Sequence, residues 1–310
     1  MDSDPGEAEH GELPVSDGRP IALGTGVSLF VAEAGRADAP PVILLHGFPE
    51  SHRTWRDLAP LLADDLWLIM PDQRGFGASD KPQEVEAYQS DKLIADLFAL
   101  ADALGLERFA VVGHDWGGAI AWAAAMSGDP RIERVGIVNS PHPWLFQKSL
   151  IEDEKQRAAS QYIRAFREPG FEKFVEGIGF EAFFDKSFAP HVDMTRVSAE
   201  ERQRYIDDWS QPGALTAMLN WYRASKLVVP PPGITVPIPD AAIAALPKVK
   251  VPVRVVWGLG DTALKPVQLE GIGEVGDDVT VHPLPGVGHF APWEAPEAVA
   301  DALRPFLLGR

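Results

Sequence analysis

The stretch FAVVGHDWGGAIAWAAA, Phe109 to Ala125, decides how the rest of the chain is read. An apolar run drives into Gly113-His114-Asp115-Trp116-Gly117 and emerges as an alanine-rich helix. Glycines flanking one residue let a strand turn sharply into a helix and push the central side chain outward. Here that side chain is a carboxylate. Two readings are open: Asp115 caps the helix it precedes, a position that aspartate favours, or it is presented as a reacting group. The remainder of the sequence has to separate them.

At 310 residues, 45% of them hydrophobic, the chain can bury one large α/β core, or a core carrying an insertion. A formal charge of -17, with no basic run to neutralise phosphates, argues against nucleic acid and anionic membranes as partners. The absence of cysteine excludes disulfides, thiolate metal sites and cysteine chemistry. His10, His52, His191 and His282 are scattered without metal-ligand spacing, so neither a metal nor a cofactor is expected. The start carries Asp2, Asp4, Glu7, Glu9 and Glu12 and lacks the basic and apolar regions of a signal peptide, and no apolar run approaches membrane-spanning length. Residues 1–18 read as a flexible acidic tail, and the expectation is a cytoplasmic protein, monomeric or homodimeric.

Short apolar runs alternate with helical patterns along the chain. PPVILLHG, LWLIMPD, FAVVGHD, RVGIVNS, VRVVWG and VTVHPLPG all end in turn-forming residues and read as buried parallel strands. Between them, SDKLIADLFALADALGL places Leu93, Leu97, Leu100 and Leu104 on one helical face, and TWRDLAPLLAD does the same with Trp55, Leu58 and Leu62. Upstream, IALGTGVSLFVAEAG suits an antiparallel hairpin at the sheet edge. The predicted class is α/β, a mostly parallel sheet with flanking helices. The alternation breaks after Ser140. Residues 142–245 are aromatic and helical in character and finish in the proline-rich VVPPPGITVPIPD, which predicts a helical lid inserted into a core of residues 19–141 and 246–310.

A nucleophile at Asp115 needs a base and an acid that orients it. VRVVWGLGD ends a strand at Asp261, and VTVHPLPGVGHFAPWEAP places His289 in a glycine-flanked loop before the final helix. Each has a plainer alternative: Asp261 as a turn former beside Gly260, His289 as a loop histidine without duty. Their order and their placement at strand ends favour the catalytic reading.

At this point the sequence resembles the α/β-hydrolase superfamily and, more narrowly, its Asp-nucleophile branch of epoxide hydrolases and hydrolytic dehalogenases. Gly113 to Gly118 is similar to that branch's elbow, HGFP (His46 to Pro49) to its oxyanion loop, and PDQRGFGASDKP (Pro71 to Pro82) to a structural loop of the branch. The resemblance implies that Asp115 attacks a tetrahedral carbon to form an alkyl ester, which water activated by His289, with Asp261 orienting the imidazole, then hydrolyses. Backbone N–H groups of Phe48 and Trp116 are the implied oxyanion donors, each typically worth about 3 kcal/mol.

The leaving group separates the two activities. Halide needs only N–H donors, whereas an epoxide opens to an alkoxide that must be protonated or hydrogen-bonded. Tyr162 in QYIRAFREPG and Tyr222 in LNWYRA resemble the two lid tyrosines of epoxide hydrolases, against the alternative that each packs a helix face. The expected activity is therefore hydrolysis of a small apolar epoxide to a vicinal diol. The runner-up is dehalogenation, for which the family often places an asparagine where this chain has Phe48; fluoroacetate dehalogenases carry substrate-clamping arginines where this chain has Trp116 and Ala119. A ligand-binding protein on the same scaffold is a third reading. His142 in NSPHPW, Trp221 and Phe48 are expected at the substrate pocket, His142 alternatively as a hinge between Pro141 and Pro143, and Trp209, Phe183 and Phe184 add aromatic character to the lid.

Overall fold

The computed structural model describes residues 17–234, 236–237 and 247–310. The expected acidic tail up to residue 16, and the end of the proline-rich return with its boundary at residue 245, lie outside the described residues. Eight strands of the described chain form one sheet: β1 (Arg19–Ala22), β2 (Ser28–Ala34), β3 (Pro41–Leu45), β4 (Trp67–Pro71), β5 (Phe109–His114), β6 (Ile132–Val138), β7 (Val253–Gly258) and β8 (Val279–Leu284). Their spatial order is β1-β2-β4-β3-β5-β6-β7-β8. The hairpin β1/β2 and the pair β2/β4 are antiparallel, and every other pair is parallel.

Burial on both faces explains the uninterrupted apolar runs. Ile43 and Leu45 of β3, with Val111 of β5, pack toward the helices α2 (Ser90–Ala103) and α3 (Trp116–Ser127). Their neighbours Val42, Leu44 and Val112 face the other way, onto Leu58, Leu62, Val299 and Leu303. Strand β8 departs from the expectation of burial: it pairs only with β7, and all of its residues from Thr280 to Pro283 are exposed, because it is the edge of the sheet. A second difference concerns TWRDLAPLLAD. Trp55, Leu58 and Leu62 are fully buried as expected, but on a 3₁₀ turn (His52–Trp55) and a one-turn helix α1 (Ala59–Leu62). Pro60 lacks an N–H and is tolerated only in a helix's first turn, so a single helix cannot run through it.

Seven helices of the described residues lie between β6 and β7: α4 (Pro143–Glu152), α5 (Glu154–Ala159), α6 (Gln161–Arg167), α7 (Phe171–Ile178), α8 (Phe180–Phe188), α9 (Ala199–Ser210) and α10 (Ala214–Ala224). Their aromatic residues build a core of their own, in which Phe183, Phe184, Phe188 and Tyr205 surround Trp209. This insertion is pinned to the sheet domain by polar bonds. Trp209 Nε1 donates to Pro49 O at 2.9 Å, Trp221 Nε1 donates to Arg74 O at 2.9 Å, and Arg53 pairs with Glu201 of α9. Beyond β8 the chain closes with α11 (Ala291–Glu294) and α12 (Pro296–Leu307). Among the described residues no helix is long and apolar enough to cross a membrane.

Candidate active site

Strand β5 delivers Asp115 at the carboxyl edge of the sheet with φ 50° and ψ -120°, a conformation that costs a non-glycine residue free energy. The turn closes only because its neighbours are glycines: a Cβ on Gly117 would lie 2.0 Å from Leu45 O, and one on Gly113 would lie 2.3 Å from Gly117 O. The Asp115 carboxylate makes no capping bond to α3. Its Oδ1 instead accepts the Phe48 N–H at 2.9 Å. The capping alternative is thereby removed, and the side chain is turned across to the HGFP loop.

His289 and Asp261 meet Asp115 from the loops after β8 and β7. His289 Nδ1 is 2.7 Å from Asp261 Oδ2, and its Nε2 is 3.7 Å from Asp115 Oδ2. Asp261 Oδ1 accepts the N–H groups of Ala263 at 2.9 Å and Leu264 at 2.7 Å, which fixes the carboxylate plane. Burial alone would raise its pKa, but His289, these N–H groups and Asn139 hold it below the usual carboxylate range. For His289 burial would lower the pKa; the negative charges of Asp261, Asp115 and Glu50 outweigh it and lift it to about 9. A carboxylate on Nδ1 leaves Nε2 facing Asp115, an orientation suited to a general base.

Three supporting residues escape the sequence reading. Asn139 ends β6 with φ 41°, donates from Nδ2 to Asp261 Oδ2 at 2.8 Å, and accepts the Gly258 N–H at 3.0 Å. In the sequence it shows only as turn chemistry after RVGIV, although a polar residue at the carboxyl end of a parallel strand is where such a site collects. His114 and Glu50 are fully buried beside it: His114 Nε2 donates to the carbonyl of His289 at 2.9 Å, and Nδ1 lies 2.9 Å from Glu50 Oε2. His46 is a structural member of the HGFP loop. Its Nδ1 reaches Gly47 O at 2.8 Å and its Nε2 accepts the Gln73 N–H at 2.9 Å, and burial lowers its pKa, which together describe a neutral imidazole.

A cavity of about 430 Å³ opens on Asp115, with Trp116, Tyr162 and Tyr222 in its wall. The two tyrosine rings are 6.1 Å apart and nearly perpendicular, and Tyr222 also packs edge-on against Phe48 and Trp116. Burial raises both phenol pKa values well above normal and the charge of Asp115 adds to it, so both remain protonated donors. The amide of Trp116 is the first of α3 and has no acceptor within the helix; of these two amides it is that of Phe48 which donates to the Asp115 carboxylate.

The residues expected at the pocket stand beside the cavity. His142, Trp221 and the ring of Phe48 are not among the cavity walls. His142 is buried, accepts the Trp144 N–H on Nδ1 at 3.3 Å as the N-cap of α4, and stands edge-on to Trp122; burial lowers its pKa to about 4. The hinge alternative describes it better. Trp221 packs on Phe76 while its indole N–H holds Arg74, and the Phe48 ring lies between Phe166 and Tyr222. Trp209, Phe183 and Phe184 face one another rather than the cavity. The abundance of aromatic residues in the insertion suggests a pocket lining, but an insertion large enough to fold needs its own apolar core. Among the described residues no group of three or more His, Asp or Glu could hold a metal ion.

A carboxylate on a strand-to-helix elbow, an oriented imidazole and a loop N–H on that carboxylate meet at one place, and the chain belongs to the alpha/beta hydrolase fold family, whose model matches residues 40–296. Within it, the chain is similar to epoxide hydrolases. It is 32% identical to epoxide hydrolase A of Mycobacterium tuberculosis over 320 residues, covering 92% of this chain and 95% of that protein. It is 36% identical over 241 residues to the AB hydrolase superfamily protein YfhM of Bacillus subtilis, covering 77% and 80%. Among solved structures, one described as novel epoxide hydrolases in metagenomes from hot environments superposes with a TM-score of 0.84 at 46% identity, covering 95% of this chain and 99% of that one. The epoxide hydrolase of Bacillus megaterium in complex with an inhibitor superposes with a TM-score of 0.82 at 26% identity, covering 94% and 100%.

Proposed function

We propose that the protein hydrolyses an epoxide to a vicinal diol, with residues 19–141 and 246–310 as catalytic core and residues 142–245 as cap. The observation that carries the reading is the pair of protonated tyrosines, Tyr162 and Tyr222, in the wall of the cavity that opens on Asp115. A halide leaving group has no use for two buried phenols; an opening epoxide oxygen does. Relatives named as epoxide hydrolases support the same choice.

The chemistry follows from the residues. Asp115 attacks an epoxide carbon, the carbon–oxygen bond breaks, and a tyrosine proton goes to the departing alkoxide, leaving a neutral ester on Asp115 and a tyrosinate. Esterification removes one of the negative charges that keep His289 protonated, so the imidazolium releases its proton to solvent and regains one when the Asp115 carboxylate is restored at the end of the cycle. Neutral His289 then takes a proton from water, and the hydroxide adds to the ester carbonyl of Asp115. The oxyanion forms on the side held by the Phe48 N–H, with the Trp116 N–H as second donor. Collapse expels the second alkoxide, which takes the His289 proton, and the carboxyl proton of Asp115 restores the tyrosine. The sum is epoxide plus water giving diol.

The test is diol production from racemic styrene oxide beside halide release from haloalkanes and fluoroacetate, with Asp115→Ala as control. Diol without halide, lost in the control, is the expected result. Halide without diol would replace the reading with dehalogenation and give Trp116 the leaving group; tight binding without turnover would point to a ligand-binding protein.

A further inference from the structure

Helix α3 contains no charged residue, yet four of its positions, Trp116, Ala119, Ala123 and Met126, are only half-buried while the residues between them are buried. Steps of three and four residues put these positions on one stripe of the helix. All four line the cavity that begins at Asp115. Ten residues separate the first from the last, so the stripe runs for about 15 Å away from the nucleophile. Trp144 and Phe146 of α4, Ile163 of α6 and Leu227 add apolar lining, and Ser90, Ser140, Gln147, Ser225 and Lys226 also border the cavity. Ala119 and Ala123 contribute a methyl group each, and their smallness is what leaves a groove there. An uncharged helix stripe that is half-buried where it lines a cavity is shaped for an apolar ligand.

We propose that this groove holds a long, narrow apolar substituent of the substrate, extending from the reacting epoxide at Asp115 toward Met126, and that Ala123 sets how far such a chain can reach. The inference rests on the epoxide reading and adds a substrate class to it: epoxides carrying an extended aliphatic arm rather than compact ones. Burial of each methylene then adds to the binding of substrate and transition state alike, which appears in kcat/KM.

The experiment measures kcat/KM for diol formation from terminal alkyl epoxides in a series from butylene oxide to dodecylene oxide, with styrene oxide as the compact reference. The wild-type protein is expected to gain up to about four-fold per added methylene until the groove is filled. Ala123→Trp should cut the ratio of long-chain to short-chain kcat/KM by at least about ten-fold. Met126→Ala, which opens the far end, should move the optimum to longer chains and serves if the tryptophan variant does not fold. A flat response to chain length in the wild-type protein, or a ratio unmoved by either substitution while styrene oxide still gives diol, overturns the groove and leaves the epoxide reading intact. No diol from any epoxide overturns both.

Discussion

The sheet domain and the helical insertion build their halves of the site by different means. Asp115, Asp261, His289 and Asn139 stand at or beyond the ends of parallel strands and are held by directional hydrogen bonds: Asp115 and Asn139 accept backbone N–H groups of Phe48 and Gly258, Asp261 accepts N–H groups of its own loop, and the carbonyl of His289 accepts from the His114 imidazole. Tyr162 and Tyr222 stand on insertion helices, positioned by ring contacts with Phe166, Phe48 and Trp116. The strap after α10, unlike the tyrosine rings, is tied down by hydrogen bonds, its carbonyls at Ser225, Leu227 and Val229 accepting from Arg167 and Arg164. Directional bonds fix Asp115, Asp261 and His289, whereas packing, which tolerates repacking of similar volumes, fixes the rings of Tyr162 and Tyr222. A fold organised this way can repack the insertion without disturbing the carboxylates at the sheet edge.

The comparison can be broken most directly at the nucleophile. Asp115→Ala is expected to abolish diol formation, a loss on the order of a million-fold as for other nucleophiles that act in concert with a base, measured by product assay on folded protein. The base should fail differently. His289→Gln is expected to form the ester and stall, lowering steady-state turnover by about 10⁴-fold while intact-mass spectrometry shows one substrate mass added per chain. If no adduct accumulates, Asp115 is not the nucleophile. On the insertion side, Tyr162→Phe and Tyr222→Phe should each slow epoxide opening by about 100-fold or less, because the second phenol remains, and the double variant should fall further, to about 10⁴-fold. Full rates in the double variant would remove the phenols from the chemistry.

Two smaller effects concern proton position. Decay of the alkyl-enzyme needs neutral His289, so its rate should rise with pH. The midpoint should fall below the value of about 9 in the free protein, because the ester has removed the charge of Asp115. Stability carries the opposite sign. A histidine whose pKa is raised from 6.5 to about 9 on folding contributes stability fully below pH 6.5 and loses it as pH climbs through about 9. Melting temperature across that window should therefore drop more steeply for wild-type protein than for His289→Gln, and equal slopes would deny the shift.

The contrast also explains what could be read from the residues. Strands buried on both faces appear as unbroken apolar runs, and the turn chemistry at their ends exposes Asp115, Asp261 and His289 one after another in chain order. Edge exposure of β8 is hidden because VTVHPLPG matches the inner runs in composition; only its single neighbour makes it solvent-facing. The two tyrosines are legible from resemblance, not from periodicity, since a phenol on a helix looks the same whether it faces a cavity or a core. Trp209, Trp221 and Phe183 show the other outcome of that ambiguity. Asn139, Glu50 and His114 escape notice because their partners are distant in sequence and each, alone, is an ordinary polar residue near a turn.

Among the described residues, Asp115 and Asn139 are the two non-glycine positions with positive φ, and both lie at the site. The molecule therefore keeps its conformational tension in one place, at the edge where β5 and β6 end. Relief is one substitution away at either position, and on the proposed mechanism taking it would remove the nucleophile or unseat the carboxylate that steers the base. A search for more heat-resistant variants of this protein will tend to find inactive ones at these two positions, so such a search needs turnover, and not melting alone, as its criterion.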